Sequence, residues 1–430
     1  MTTAAVGYEP VYAWVKQVGG QAHRTVGRTV AWAVLGIVVA QRVTPAARAR
    51  ALPHEQAGSG RSCLRRVRRW WQGPALAQVE ISPQLIRQAL RVQSASQAIV
   101  VAMDTTRVGP WEVWVAGVVV DGRTLPIGWA VIPYPWPKGR YRATTLALVA
   151  QLQEAFPADV RWSVVADRGF PSAALFARLR AGGTDFSIRL RLGDWVRVAG
   201  VYAKVLDHLA AGRLRVGHRV VATVGHGQPT QPLVRGWVVI SAAVAAPPLH
   251  KQTPGTHRER LVRVRHHARP RQHQRGRQTT PPSALAQRDA QTWGRFSTAP
   301  TKALAVREYA CRMAIEETFR DWHHHWAVRA ATVSLPTEAM VTRLSGLVCI
   351  ADTLQMRVGY QVSCTPTAQR RRAQWTVTGR ISGFWCGQRV FTDPGYDWST
   401  WLTQQWVSLG LQSPPTLAVP LAEPEFALAA

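Results

Sequence analysis

Apolar residues at Val26, Val30, Val34, Ile37 and Val38 recur at helical spacing and predict a helix that Pro45 stops. The Gly58-Ser59-Gly60 stretch reads as a loop, and residues 1–95 as a small helical region. From Ala98 the period changes to that of strands. "AIVVAMD" is an apolar strand ending at Asp104, and "WEVWVAGVVV" alternates and then runs apolar. Asp121-Gly122 is a hairpin signal ahead of "RTLPIGWAVIP", so three antiparallel strands in a meander are predicted. Residues 143–155 read as a helix, "RWSVVAD" as a fourth strand ending at Asp167, residues 171–181 as a second helix, and "DFSIRLR" as a fifth strand.

The order β-β-β-α-β-α-β is that of the ribonuclease-H-like fold, an α/β architecture built on a mixed sheet. The expected organisation is an N-terminal helical domain at 1–95, the first part of the core at 96–190, an insertion at 191–300, the second part of the core at 301–364, and a tail at 365–430. "WVRVAGVYAKVL" and "PLVRGWVVISAAV" predict strands in the insertion, which is therefore β-rich before it turns basic. The tail is rich in tryptophan ("GFWCGQRVF", "YDWSTWLTQQW") and reads as a packing or dimer-contact module. No repeat of fixed period runs through the chain.

Charge then narrows the class of partner. The chain has 53 Lys+Arg against 24 Asp+Glu, 53 − 24 = +29, a surplus that attracts polyanions and makes nucleic acid the expected partner. Residues 1–95 hold 13 basic residues against Glu9, Glu55 and Glu80, 13 − 3 = +10. The densest patch, "RSCLRRVRRWW", places Arg61, Arg65, Arg66, Arg68 and Arg69 before Trp70 and Trp71. It reads as a phosphate-binding helix, with a solvated basic face as the alternative. Residues 242–292 contain no aromatic residue, and 251–292 hold ten basic residues against Glu259 and Asp289, 10 − 2 = +8. Such a segment buries little and reads either as a DNA-gripping arm or as tolerated damage to the coding sequence.

A membrane fits poorly. The longest strongly apolar run, Ala31 to Ala40, is well short of the roughly 20 residues a spanning helix needs. Glu9 and Pro10 interrupt any secretory-signal pattern, so a cytoplasmic, nucleoid-associated protein is expected. Cys63, Cys311, Cys349, Cys364 and Cys386 are scattered and never form a C-x-x-C pair, which favours reduced thiols over disulfides or a zinc site.

In a chain poor in acids, the positions of the carboxylates are informative. Asp104 and Asp167 each follow a run of small or β-branched residues and would sit at neighbouring strand ends. Hard divalent cations such as Mg²⁺ take oxygen ligands of this kind, although either Asp alone also suits a turn or cap. "VREYACRMAIEETFRDWHHH" reads as one helix on which Tyr309, Arg312, Glu316 and His323 fall at offsets 0, 3, 7 and 14. At about 100° per residue these lie within an arc of about 60°, while Glu317 points about 100° away from Glu316. A charged solvent face is the alternative, but it leaves Ile315, Phe319 and Trp322 on the adjoining sides unaccounted for. Consecutive His323, His324 and His325 splay apart and make a poor metal site.

Asp104, Asp167 in "ADRGF", and the Y-x2-R-x3-E pattern of Tyr309, Arg312 and Glu316 resemble the DDE transposases of bacterial insertion sequences, in the group with the Tyr-Arg-Glu-Lys signature. The resemblance covers roughly residues 60–360. It implies that Asp104, Asp167 and Glu316 are catalytic and coordinate two Mg²⁺ ions, with Mn²⁺ able to substitute. It implies further that Tyr309 and Arg312 contact transposon-end DNA, and that Trp293 in "TWGRFST" stacks on a flipped base. Implied partners are double-stranded DNA, as terminal inverted repeats and target, and a second copy of the chain in a homodimer. His323 stands where the signature has Lys, which removes a permanent positive charge beside phosphate. A DNA-binding remnant and a nuclease or resolvase of the same fold are the competing expectations.

Overall fold

The computed structural model describes residues 8–18, 24–51, 61–62, 64–65, 82–91, 99–225, 232–242, 292–329, 337–363 and 382–392. Two compact units emerge, one from residues 1–188 with 307–430 and one from 189–306.

In the first unit β1 (Ile99–Val108), β2 (Trp111–Val120) and β3 (Arg123–Pro133) form the predicted antiparallel meander. The β2–β3 turn is the two-residue Asp121-Gly122 loop, with both residues in the left-handed region (φ 47° and 71°), as a right-twisting hairpin requires. Helix α1 (Arg140–Ala155) is followed by β4 (Trp162–Ala166), α2 (Ala173–Ala181) and β5 (Asp185–Leu190), so the expected β-β-β-α-β-α-β order is present. Strand β4 lies parallel to β1 and β5 parallel to β4, giving the order β3-β2-β1-β4-β5. Strand β2 is apolar on both faces because both are covered: Trp114 donates to Thr145 of α1 (3.3 Å), and helix α3 (Glu338–Ser363) also packs against the strand.

Strand β1 extends beyond the expectation. Asp104 does not end it: Thr105 to Val108 continue the pairing with β2, their side chains alternating as far as the hairpin turn. The parallel ladder with β4 does stop at Met103↔Ala166. Asp104 and Asp167 are therefore the first residues beyond the last paired step, side by side where the two strands part.

The helices of the N-terminal region belong to the first unit. The helix read from Val26 to Val38 spans Arg24–Ala40 and ends with Gln41 in the left-handed region, not at Pro45, which instead begins the following helix, Pro45–Ala51. Proline suits a first helical position because the amide it lacks would have no intrahelical partner there. Gln41 donates to Gln355 Oε1 (2.8 Å) and accepts from Trp326 Nε1 (3.1 Å), and Gln355 Nε2 donates to the Phe384 carbonyl (3.2 Å). This buried amide chain ties the N-terminal helices, α3 and the C-terminal helix α4 (Gly383–Thr392) together. Where α4 meets α3, a Cβ on Gly359 or Gly387 would run into opposing backbone. "GFWCGQRVF" is thus a packing helix; "YDWSTWLTQQW" lies outside the described residues.

The second unit holds β6 (Trp195–Val198), β7 (Val201–Lys204), β8 (Arg219–Val224), β9 (Val234–Ala242) and β10 (Thr292–Ser297), ordered β10-β9-β8-β6-β7. Its antiparallel pairing agrees with the predicted β-rich insertion; β8 is an additional strand. Residues 243–291, nearly all of the aromatic-free basic segment, lie outside the described residues.

Candidate active site

"VREYACRMAIEETFRDWHHH" is not one helix. It forms α5 (Lys302–Ala310) and α6 (Met313–His324), joined by a tight turn. No proline or glycine causes the break. Instead the backbone tightens to i→i+3 bonds: Cys311 N to Glu308 O, Arg312 N to Tyr309 O and Ala314 N to Cys311 O, each at 3.0 Å. At three residues per turn, positions i and i+3 eclipse, so Tyr309 and Arg312 share a direction, with the guanidinium 6.0 Å from the phenol ring centroid.

That direction leads to the two strand-end aspartates. Arg312, 6% exposed, donates from Nη1 to Asp104 Oδ2 (2.8 Å) and from Nη2 to Glu316 Oε1. Tyr309, 1% exposed, donates from Oη to Asp167 Oδ1 (3.2 Å). Five of the residues singled out in the sequence, Asp104, Asp167, Tyr309, Arg312 and Glu316, therefore meet in one place. Glu317 is directed elsewhere, to Arg320 (2.5 Å) and Arg123 (3.9 Å).

The electrostatics follow from burial and crowding. Burial pushes the Asp104 carboxyl up to about 6; Arg312 and the Thr105 amide pull it down, while Asp167 and Glu316 add to the rise. Burial opposes the charge of Arg312, but Tyr309 and the three carboxylates outweigh it and hold the guanidinium protonated. The pocket thus concentrates negative charge against one cation. A trio of carboxylate oxygens suits Mg²⁺ or Mn²⁺ in donor type, and a divalent ion would offset the repulsion from Asp167 and Glu316 that adds to the effect of burial on Asp104. Among the described residues no three His, Cys, Asp or Glu side chains lie close enough to share one ion. The Arg312 guanidinium stands between Asp104 and Glu316, one terminal nitrogen on each.

Of the other predicted residues, His323 and Trp293 make contacts of their own. His323, on the last turn of α6, meets Thr106 Oγ1 through Nε2 (2.7 Å), and burial first, then Arg329 and His324, lower its pKa to about 4. It is neutral at physiological pH. Trp293 is on β10 of the second unit, with the guanidinium of Arg189 4.5 Å and that of Arg295 5.7 Å from its ring centroid. Arg65 is exposed on a short helical stretch; Arg66, Arg68 and Arg69 lie outside the described residues. Sequence reasoning passed over Arg123 and Asp321, an ion pair (2.7 Å) joining β3 to α6. The Thr124 amide donates to Thr318 Oγ1 beside it (3.0 Å), so the helix bearing Glu316 is anchored to the sheet. "RDW" within a charged helix carried no signal for this pairing, since its partner lies 198 positions away.

A family model described as a transposase DDE domain matches residues 115–352, more than half of the chain. Asp167 and Glu316 fall inside the match and Asp104 just before it. No curated protein matches the chain.

Proposed function

The chain belongs to the transposase DDE-domain family, and from that premise we propose that it is the transposase of a bacterial insertion sequence of the Tyr-Arg-Glu-Lys group. It would bind its element's terminal inverted repeats, then cut DNA and join strands by cut-and-paste transposition. The observation that carries this reading is the convergence of Asp104, Asp167 and Glu316, drawn from two strand ends and a helix, around Arg312.

Asp104, Asp167 and Glu316 are the residues that would hold two Mg²⁺ ions. When bound, such ions supply a nucleophile at neutral pH and neutralise charge on the transferring phosphoryl group. The chain's own groups do the positioning. Tyr309 fixes one oxygen of Asp167, and the Thr105 amide fixes Oδ1 of Asp104 (2.8 Å). Arg312 keeps a permanent positive charge beside two of the acids, where a DNA phosphate would approach. Arg65, Arg66, Arg68 and Arg69 would grip backbone phosphates, and Trp293 would stack on a base of the element's end. Two copies would pair the two ends, and the protein would act in the cytoplasm at the nucleoid.

The test is strand cleavage and joining by the purified protein on DNA carrying the terminal repeats, with Mg²⁺. Undiminished cutting by Asp104→Asn or Glu316→Gln sinks the assignment. A DNA-binding remnant is the second reading, favoured by the neutral His323 at the signature's lysine position. It predicts salt-sensitive binding without metal-dependent cutting.

A further inference from the structure

The site leaves one prominent surface feature unused. Strand β3 is parallel to β1, both being antiparallel to the intervening β2, so Val108 and Pro133 reach the same sheet edge beside Trp111. Beyond Pro133 the chain reads Tyr-Pro-Trp-Pro-Lys-Gly-Arg-Tyr-Arg, and residues 134–140 are all exposed, Tyr134 by 38% and Trp136 by 45%. Large aromatic residues left in solvent as a contiguous patch mark a binding surface.

We propose that Tyr134, Trp136 and Tyr141 form a stacking platform for an unpaired DNA nucleotide on the catalytic edge of the sheet. The inference rests on the DNA-processing function above. The platform is braced. Tyr141 supports Trp136 (centroids 4.7 Å) and is itself held against Trp114 (4.7 Å), while Tyr134 meets Trp136 edge-on (5.6 Å, 88°). Pro133, Pro135 and Pro137 fix φ at every second residue, which limits the entropy lost when a ligand settles on the loop.

Position and charge specify the ligand. Tyr141 also packs near Phe170 (6.1 Å), whose amide bonds the Asp167 carbonyl (3.0 Å), and the Tyr141 hydroxyl lies 3.3 Å from where a Cβ on Gly169 would be. The platform thus touches the turn that bears a candidate catalytic carboxylate. Arg107 lies 3.4 Å from the Tyr134 ring centroid and pairs with Glu112 (3.8 Å), Arg140 pairs with Glu338 (3.3 Å), and Lys138 and Arg142 add two further cations, so basic groups outnumber acids around the aromatic rings. Aromatic faces in a basic surround match a base and its phosphate: every base has a π-face, and paired bases keep theirs inside the duplex.

The test compares wild type, Trp136→Ala and Trp136→Phe by fluorescence anisotropy on two labelled probes, a duplex with a short oligothymidine overhang and the same duplex blunt. Thermal unfolding checks that the variants are folded. Trp136→Ala should bind the overhang probe about tenfold more weakly, which at about 1.4 kcal/mol per decade matches one stacked base, while Trp136→Phe retains most of the affinity. Blunt-duplex binding should be nearly unchanged. Equal affinity of wild type and Trp136→Ala for the overhang, or equal losses on both probes, overturns the platform. So does a change in oligomeric state with DNA binding intact, which would assign the patch to a second copy. Wild-type protein that binds neither probe overturns the DNA-processing function itself, and the platform with it.

Discussion

Arg312 Nη1 donates to Asp104 Oδ2 at 2.8 Å, joining the turn between two helices to a strand 208 positions earlier in the chain. The same guanidinium reaches Glu316 through its other terminal nitrogen. One arginine therefore supplies positive charge to two crowded carboxylates.

Arg312→Ala should accordingly destabilise the metal-free protein by about 1–3 kcal/mol at neutral pH, since it leaves part-buried charge unpaired. Mg²⁺ should raise the unfolding midpoint of this variant more than that of wild type, because the ion takes over the lost neutralisation. Equal Mg²⁺ responses in a calorimetric scan would contradict the relationship.

Glu308 provides a pH test away from the candidate metal ligands. Burial first, and then Asp185, push its carboxyl from an ordinary 4.5 up to about 7, with the nearby Ser163 hydroxyl and Arg307 pulling the other way. Between those values the folded state binds more protons than the unfolded one, so stability falls as pH rises through this window. Glu308→Gln should match wild type below about pH 4 and be the more stable protein above about pH 7. Urea melts across that range measure the difference, and parallel curves would refute it.

His323 is neutral and faces Thr106. Restoring lysine adds a charge that survives at neutral pH. His323→Lys should tighten DNA binding at low salt and steepen the log–log salt dependence by about 0.9, the contribution of one further phosphate contact. An unchanged slope would place this position away from the DNA.

The close approach of α3 and α4 depends on Gly359 and Gly387. Gly359→Ala puts a methyl group into the Gly383 carbonyl and should cost about 3 kcal/mol or more, because backbone can give way only by separating the helices. Chemical denaturation checks the loss. Gly122→Ala, with open space around its Cβ but a φ of 71°, should cost less, through backbone strain alone.

Much of the first unit could be read from the chain because its signals are local. The meander, the Asp121-Gly122 turn, the helix–strand alternation and the placing of two aspartates just past apolar strand cores all follow from short-range periodicity and turn chemistry. Those signals failed where a neighbour intervened. Thr105 to Val108 look too polar for a strand, yet β2 supplies a partner and the strand continues. The run from Val306 to His325 has uninterrupted helical character, yet its backbone tightens at 308–315. Strand β8, "RVVATV", has the β-branched composition of a strand but is short and was passed over; its pairing with β9 reveals it.

Residue type and periodicity mark the candidate residues and the kind of element each would lie on, because both act over a few positions. Only the tertiary structure decided how those residues combine: that Arg312 bridges Asp104 and Glu316, that Tyr309 holds Asp167, and that His323 turns to Thr106 and loses its charge. The cause is separation: these contacts of Tyr309, Arg312 and His323 with the strand ends link positions 142 to 217 residues apart, and a carboxyl's burial and neighbours exist only once the chain has closed over that distance.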